Sequence, residues 1–141
     1  MSQILSFRDL DAWKTAMDLV VLVYALCRRL PKTEQFGLVS QMQRASASVP
    51  SNIAEGHASG PGGRYRWHLR TALGSIAELE TQLEVARRLA YLTDADTKTA
   101  AQQLVRTRQL LHGLNRSLRR REAAKAFVVA AFFVCAGALV F

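Results

Sequence analysis

Apolar positions recur through most of this chain at alternating steps of three and four, the spacing that gathers them on one side of a helix, and four segments carry it. In the first segment, Leu10, Trp13, Met17, Val20, Tyr24 and Cys27 make one row, and Ala16, Leu19, Val23, Leu26 and Leu30 make a second row beside it. A first helix is expected from about Asp9 to Leu30, since Pro31 disfavours helical geometry in the residue before it. With two rows it is apolar over more than a stripe. Such a helix sits centrally in its bundle or is buried twice, in the core and against another subunit, and the face carrying Leu19, Val23 and Leu26 is expected to make that subunit contact.

The second segment is marked by Glu34, Phe36 and Gly37, then by Leu38, Met42, Ala45, Val49 and Ile53. Pro50 falls inside this row, lacks an N–H and crowds the preceding turn, which predicts a kink or a break. The run GHASGPGG, from Gly56 to Gly63, holds four glycines and a proline in eight residues and reads as one long flexible loop. A third helix, about Tyr65 to Tyr91, carries Leu69, Ala72, Ile76, Leu79, Leu83, Ala86 and Ala90. Gly74 in its middle costs about 1 kcal/mol relative to alanine, so a neighbouring helix backbone is expected close by. Thr93 and Asp96 resemble a capping box that opens the fourth helix, with its seam at Ala100, Leu104, Thr107, Leu111, Leu114 and Leu118. Short connections near Pro31 and Leu92 make neighbours antiparallel. The fold class is all-α: an antiparallel up-down four-helix bundle over residues 1–122, followed by an apolar C-terminal tail helix over 123–141.

Composition narrows the partners. A length of 141 residues is one domain, eight Gly and three Pro are few for an all-β chain, and an apolar share of 50% excludes a disordered one. The net charge is +8, with arginine supplying most of the excess, and residues 119–125 alone carry +3. Guanidinium-rich surfaces suit a polyanion; the plainer alternative is a basic surface with no specific partner. Cys27 and Cys135 lie in apolar surroundings, and the first residues lack the basic and apolar regions of a leader, which points to a reducing, cytoplasmic compartment.

Three strings go beyond patterning: FRDLDAW at Phe7–Trp13, QMQRASASVPSNIAEG at Gln41–Gly56 and GSIAELETQL at Gly74–Leu83. Over roughly residues 5–118 the chain resembles the bacterial four-helix-bundle proteins encoded by intervening sequences in large-subunit ribosomal RNA genes, relatives of the accessory variability proteins of diversity-generating retroelements. Arg44, Pro50, Asn52, Glu55, Gly56, Gly74 and Glu78 belong to the matching strings. The resemblance implies four antiparallel helices, a homopentameric ring and a positively charged surface. For the retroelement relatives it also implies binding to nucleic acid and to a reverse transcriptase. Gln43 departs from a position where the family often has a basic residue, and His68 from one where it favours an aromatic.

Read physically, Ser46, Ser48, Ser51 and Asn52 surround Pro50, where short polar side chains bond the backbone groups that proline leaves unpaired; a ligand role is the alternative. Arg44, Glu55, Glu78 and Glu80 are candidates for ion pairs between the second and third helices. Catalytic constellations are missing. A carboxylate-bridged di-iron centre needs Glu-x-x-His, but Ala54, Tyr65 and Gln109 stand three before His57, His68 and His112. Two separate cysteines make no zinc site, and the glycine-rich run lacks the ending of a phosphate-binding loop. No cofactor, metal or enzymatic activity is expected.

The remaining candidates concern binding. Arg64, Arg66 and Arg70 open the third helix with Tyr65 and Trp67 among them, while Arg106, Arg108, Arg116, Arg119, Arg120 and Arg121 run along the fourth. Arginine with neighbouring aromatics holds phosphates and stacks bases, which suggests a nucleic-acid scaffold; against it, the aromatics are expected in the core because Trp67 lies beside Leu69. An adaptor that docks proteins through apolar surface is the competing function. From Ala126 to Phe141 no polar side chain occurs, and Arg119, Arg120, Arg121 and Lys125 precede this stretch as a basic flank would precede a membrane anchor. Sixteen residues span about 24 Å of helix against about 30 Å of hydrocarbon, so tethering through 126–141 stands beside a soluble packing extension.

Overall fold

The computed structural model describes residues 6–137, with side chains through Phe132. Four helices make the fold: α1 Asp11–Cys27, α2 Leu38–Ala58, α3 Gly63–Arg88 and α4 Asp94–Gly137. A 3-10 turn at Phe7–Asp9 leads into α1, capped by Ser6, whose hydroxyl accepts from the Arg8 N–H while Asp9 accepts from the Ser6 N–H. Each helix packs on its sequence neighbours, α1 closes the bundle on α4, and α2–α3 is the most extensive contact. Thus α1 and α3 stand at opposite corners.

The expected seams of α2, α3 and α4 form the core: Met42, Val49, Ile53, Leu69, Ile76, Leu79, Leu104 and Leu111 are all sealed from solvent. On α1 the outcome reverses one expectation. Leu19 and Val23 are 0% exposed and Leu26 is 8% exposed, so the face expected to meet another subunit is packed inside its own chain. The middle of the other row faces out instead, with Met17 37% and Tyr24 43% exposed and Val21 beside them at 66%, while its ends, Leu10 and Cys27, are buried. Only one of two equal rows can point into the bundle, and here the row of smaller side chains (Ala16, Leu19, Val23) fits the interior between α2 and α4.

Pro50 neither breaks α2 nor ends it; the helix is continuous from Leu38 to Ala58 with Pro50 buried. Around it, hydroxyls and an amide reach carbonyls one turn back: Ser46 to Gln43, Ser51 to Ala47 and Asn52 to Ser48. The carbonyl that Pro50 leaves without its helical donor is that of Ser46, one turn back, and these three bonds go to its neighbours instead, so they tie side chains to the helix without filling the vacancy expected of them. Gly56 and His57 are helical, so the expected long loop shrinks to Ser59–Gly62, which reverses the chain with Gly60 at φ 77° and Gly62 at φ 143°. Gly74 also departs from expectation: it faces solvent, and a Cβ there would meet nothing within 4 Å.

The α3–α4 corner uses the expected capping box, Thr93 N–H donating to Asp96 at 2.8 Å and Asp96 N–H to the Thr93 hydroxyl at 3.2 Å. Those bonds, with Arg29 of the neighbouring corner, hold the Asp96 carboxyl below its usual range. Ala90, expected on the α3 seam, is exposed beyond the helix end at φ 56°, where the Tyr91 and Leu92 N–H groups return to the Ala86 carbonyl. α4 continues unbroken past residue 122 as one 44-residue helix. Among the described side chains Leu118 is the last that is buried, and every residue from Ala123 to Phe132 is exposed. Among the described residues no helix is long and apolar enough to cross a membrane; residues 138–141 of the tail lie outside them.

Left-handed geometry at an alanine costs about 1–2 kcal/mol that glycine escapes. Ala90→Gly is therefore expected to raise the unfolding free energy by about 1 kcal/mol, read as a shift in the urea midpoint with unchanged slope.

Candidate nucleic-acid interface

The first two turns of α3 are oriented by what they bury. Gly56 of α2 leaves room that Tyr65 fills: a Cβ at Gly56 would stand 2.5 Å from the Tyr65 ring and 3.0 Å from the His68 Cβ. Tyr65 is 5% exposed, its hydroxyl is sealed without a hydrogen-bond partner, and burial pushes its pKa up to about 12. His68, also buried, meets Asn52 Oδ1 at 3.1 Å through Nδ1 and lies 3.5 Å from Glu55. Below them Ser48 and Ser75 share a 2.9 Å hydroxyl contact. A polar ladder thus pins α3 to α2 along their length.

With Tyr65 and Leu69 facing inward, Trp67 turns out. Helical residues advance about 100° each, so a position two away from Leu69 lies on the far side, and Trp67 is 54% exposed, its indole edge-on to His68 at 4.9 Å. The expectation that both aromatics are core thus holds for Tyr65 and fails for Trp67; the two-residue offset was the signal that separates them. Arg64 and Arg70, one turn either side, are exposed.

α4 completes the surface. Arg66 binds Glu122 through Nε at 3.0 and 3.2 Å, and Arg108 pairs with Glu80, which fixes the antiparallel register of α3 and α4. This register brings Arg64, Arg66 and Arg70 to the same end of the bundle as Arg116, Arg119, Arg120 and Arg121, all four of them exposed. Arg106 and Arg108 stand two to four turns earlier on α4, about 12 Å from Arg116 at the nearest, and Arg108 is already matched by Glu80. Seven of the nine arginines therefore gather, with Arg66 held by Glu122.

The expected ion pairs between α2 and α3 reduce to one contact. Glu55 reaches His68, whereas Arg44 bonds Gln41 and Glu78 bonds Gln82 within their own helices, and Glu80 turns to α4. Glu84 is held below its usual range by Arg88 and Arg87 on the surface, so those two arginines are neutralised locally. Cys27 is buried, its thiol pushed up to about 11 by that burial, which makes it an inert packing residue. Among the described residues no group of His, Cys, Asp and Glu could hold a metal ion.

These features define an all-helical, four-helix protein with an arginine-rich end. The chain belongs to the 23S rRNA-intervening sequence protein family, which matches residues 8–113. Its fold is similar to the crystal structure of a protein of unknown function from the S23 ribosomal protein family of Bacteroides thetaiotaomicron VPI-5482. The two share a TM-score of 0.68 at 21% identity, over 74% of this chain and 97% of that one. No curated protein matches the chain.

Gly56→Ala tests how α3 is seated. Helix propensity favours alanine by about 1 kcal/mol, but overpacking against a buried ring costs up to about 3 kcal/mol. A net loss of about 1–2 kcal/mol in chemical denaturation is expected.

Proposed function

We propose that this protein is a non-enzymatic scaffold that assembles into a homo-oligomeric ring and binds nucleic acid through the arginine-rich end. The observation that carries the binding half is Trp67, an exposed indole with Arg64 and Arg70 one helical turn away on either side. An indole offers a stacking platform that every base fits, and guanidinium groups beside it meet phosphates, so the surface suits nucleic acid with little sequence preference. Arg116, Arg119, Arg120 and Arg121 extend the positive field around the same end.

Assembly is supported by two outward faces. α1 exposes Met17, Val21 and Tyr24, and α3, at the opposite corner, exposes Val85, with Leu89 just past its end and the bare backbone of Gly74 on its outer side. Different faces on opposite corners pair head to tail, and a head-to-tail contact that closes makes a ring. The row that serves this purpose is therefore the exposed one, rather than Leu19, Val23 and Leu26.

Each phosphate contact contributes about 0.9 to the slope of log affinity against log salt. Arg64→Glu with Arg70→Glu is expected to weaken binding of RNA and DNA uniformly and flatten that slope by about two, while Arg108→Glu does far less. Affinity untouched by the first pair favours a protein adaptor instead. For assembly, light scattering of the wild type is expected well above the 15.6 kDa chain mass, and Val21→Asp with Tyr24→Asp is expected to return it to that mass with helicity intact. Leu19→Asp, by contrast, is expected to unfold the chain, because a buried unpaired carboxylate costs several kcal/mol.

A further inference from the structure

We infer that the end of α4 beyond the bundle is a membrane-entering element, with an anionic lipid bilayer as its partner. The bundle releases α4 at Glu122, which is partly buried, and every residue from Ala123 to Phe132 is exposed. Phe127, Val128 and Val129 are 76%, 67% and 54% exposed. A helix on a protein surface keeps a polar face, but seven consecutive residues cover every direction around the axis, and Ala126 to Phe132 contain no polar side chain. No side of this helix is built for water.

The residues just before it say what covers it. At about 100° per residue, Arg119, Arg120, Arg121 and Lys125 project around the helix in different directions, and all are exposed. Glu122, the one acid among them, points back to the bundle and is taken by Arg66. What remains is a basic collar at the base of an apolar rod, which matches anionic headgroups lying over hydrocarbon. A second copy fits less well: a coiled coil needs an apolar stripe with charged flanks, and assembly would set one +3 segment against another. From Ala126 to Gly137 the helix is about 18 Å long, more than the roughly 15 Å of one leaflet, so it enters a bilayer with the collar at headgroup level.

Flotation of the full chain with lipid vesicles, without nucleic acid, tests this. The wild type is expected to float with vesicles of phosphatidylcholine mixed with phosphatidylglycerol. Phe127→Gln, Val129→Gln and Ala131→Gln together, which leave the collar intact, are expected to abolish flotation while helicity and nucleic-acid affinity persist. Changing Arg119, Arg120 and Arg121 to Gln is expected to weaken anionic-vesicle binding about fivefold per residue. Wild type that stays at the bottom of the gradient overturns the inference. So does flotation unaffected by the glutamine triple variant, which would be surface adsorption, and so does a lipid-free assembly that this variant disperses, which would make a second copy the occupant.

Discussion

Where Gly56 of α2 meets α3, a methyl group would stand 2.5 Å from the Tyr65 ring, so the two helices reach this separation only because that position lacks a side chain. With Tyr65 seated there, the 100° advance of a helix leaves no freedom to its neighbours. Residue 66 faces α4 and pairs with Glu122; residue 67 faces solvent and is tryptophan; residues 64 and 70 flank it with guanidinium groups. His68, bonded to Asn52 of α2, holds the same orientation one turn back along α2. One close backbone approach thus sets which side chains the basic end displays.

Much of this was legible in the periodicity. Three of the four seams, the capping box at Thr93 and the four-helix topology follow from spacing alone, because burying an apolar row is the dominant constraint on an amphipathic helix. The failures share a cause. α1 has two rows of equal strength, and only the position of three other helices decides that Leu19 and Val23 go in while Met17 and Val21 stay out. Gly56 reads locally as a loop residue, yet its service is to a ring nine residues further on, so α2 persists through it. Gly74 reads as a close-packing glycine and meets nothing within the chain. Pro50 reads as a kink or a break, and α2 runs through it without a break, with the ring buried against the bundle.

The arginines sort the same way. Their number and order were visible, their pairing was not. Arg66, Arg87, Arg88 and Arg108 are matched by Glu122, Glu84 and Glu80 with Asp94, so of the nine candidate arginines those outside an ion pair, Arg106 aside, stand around Arg64, Arg70 and the collar of α4. The two polyanions we propose for that one end divide it, nucleic acid beside the exposed indole and lipid headgroups around the collar, and the apolar rod beyond Lys125 is what distinguishes the second proposal from the first. Both proposals share one rigid base, since α4 runs from its capped start to the rod without interruption.

The central claim is that the seating of Tyr65 turns Trp67 into a stacking platform for nucleic acid, and tryptophan emission reports on it directly. Replacing Trp13, which packs edge-on against Phe7, by Phe leaves Trp67 as the sole indole. Titration with single-stranded oligonucleotides is expected to quench its emission saturably, with the same affinity as a parallel gel-shift and with loss at high salt. Binding in the gel with no change in Trp67 emission, or no binding at low salt, would contradict the account.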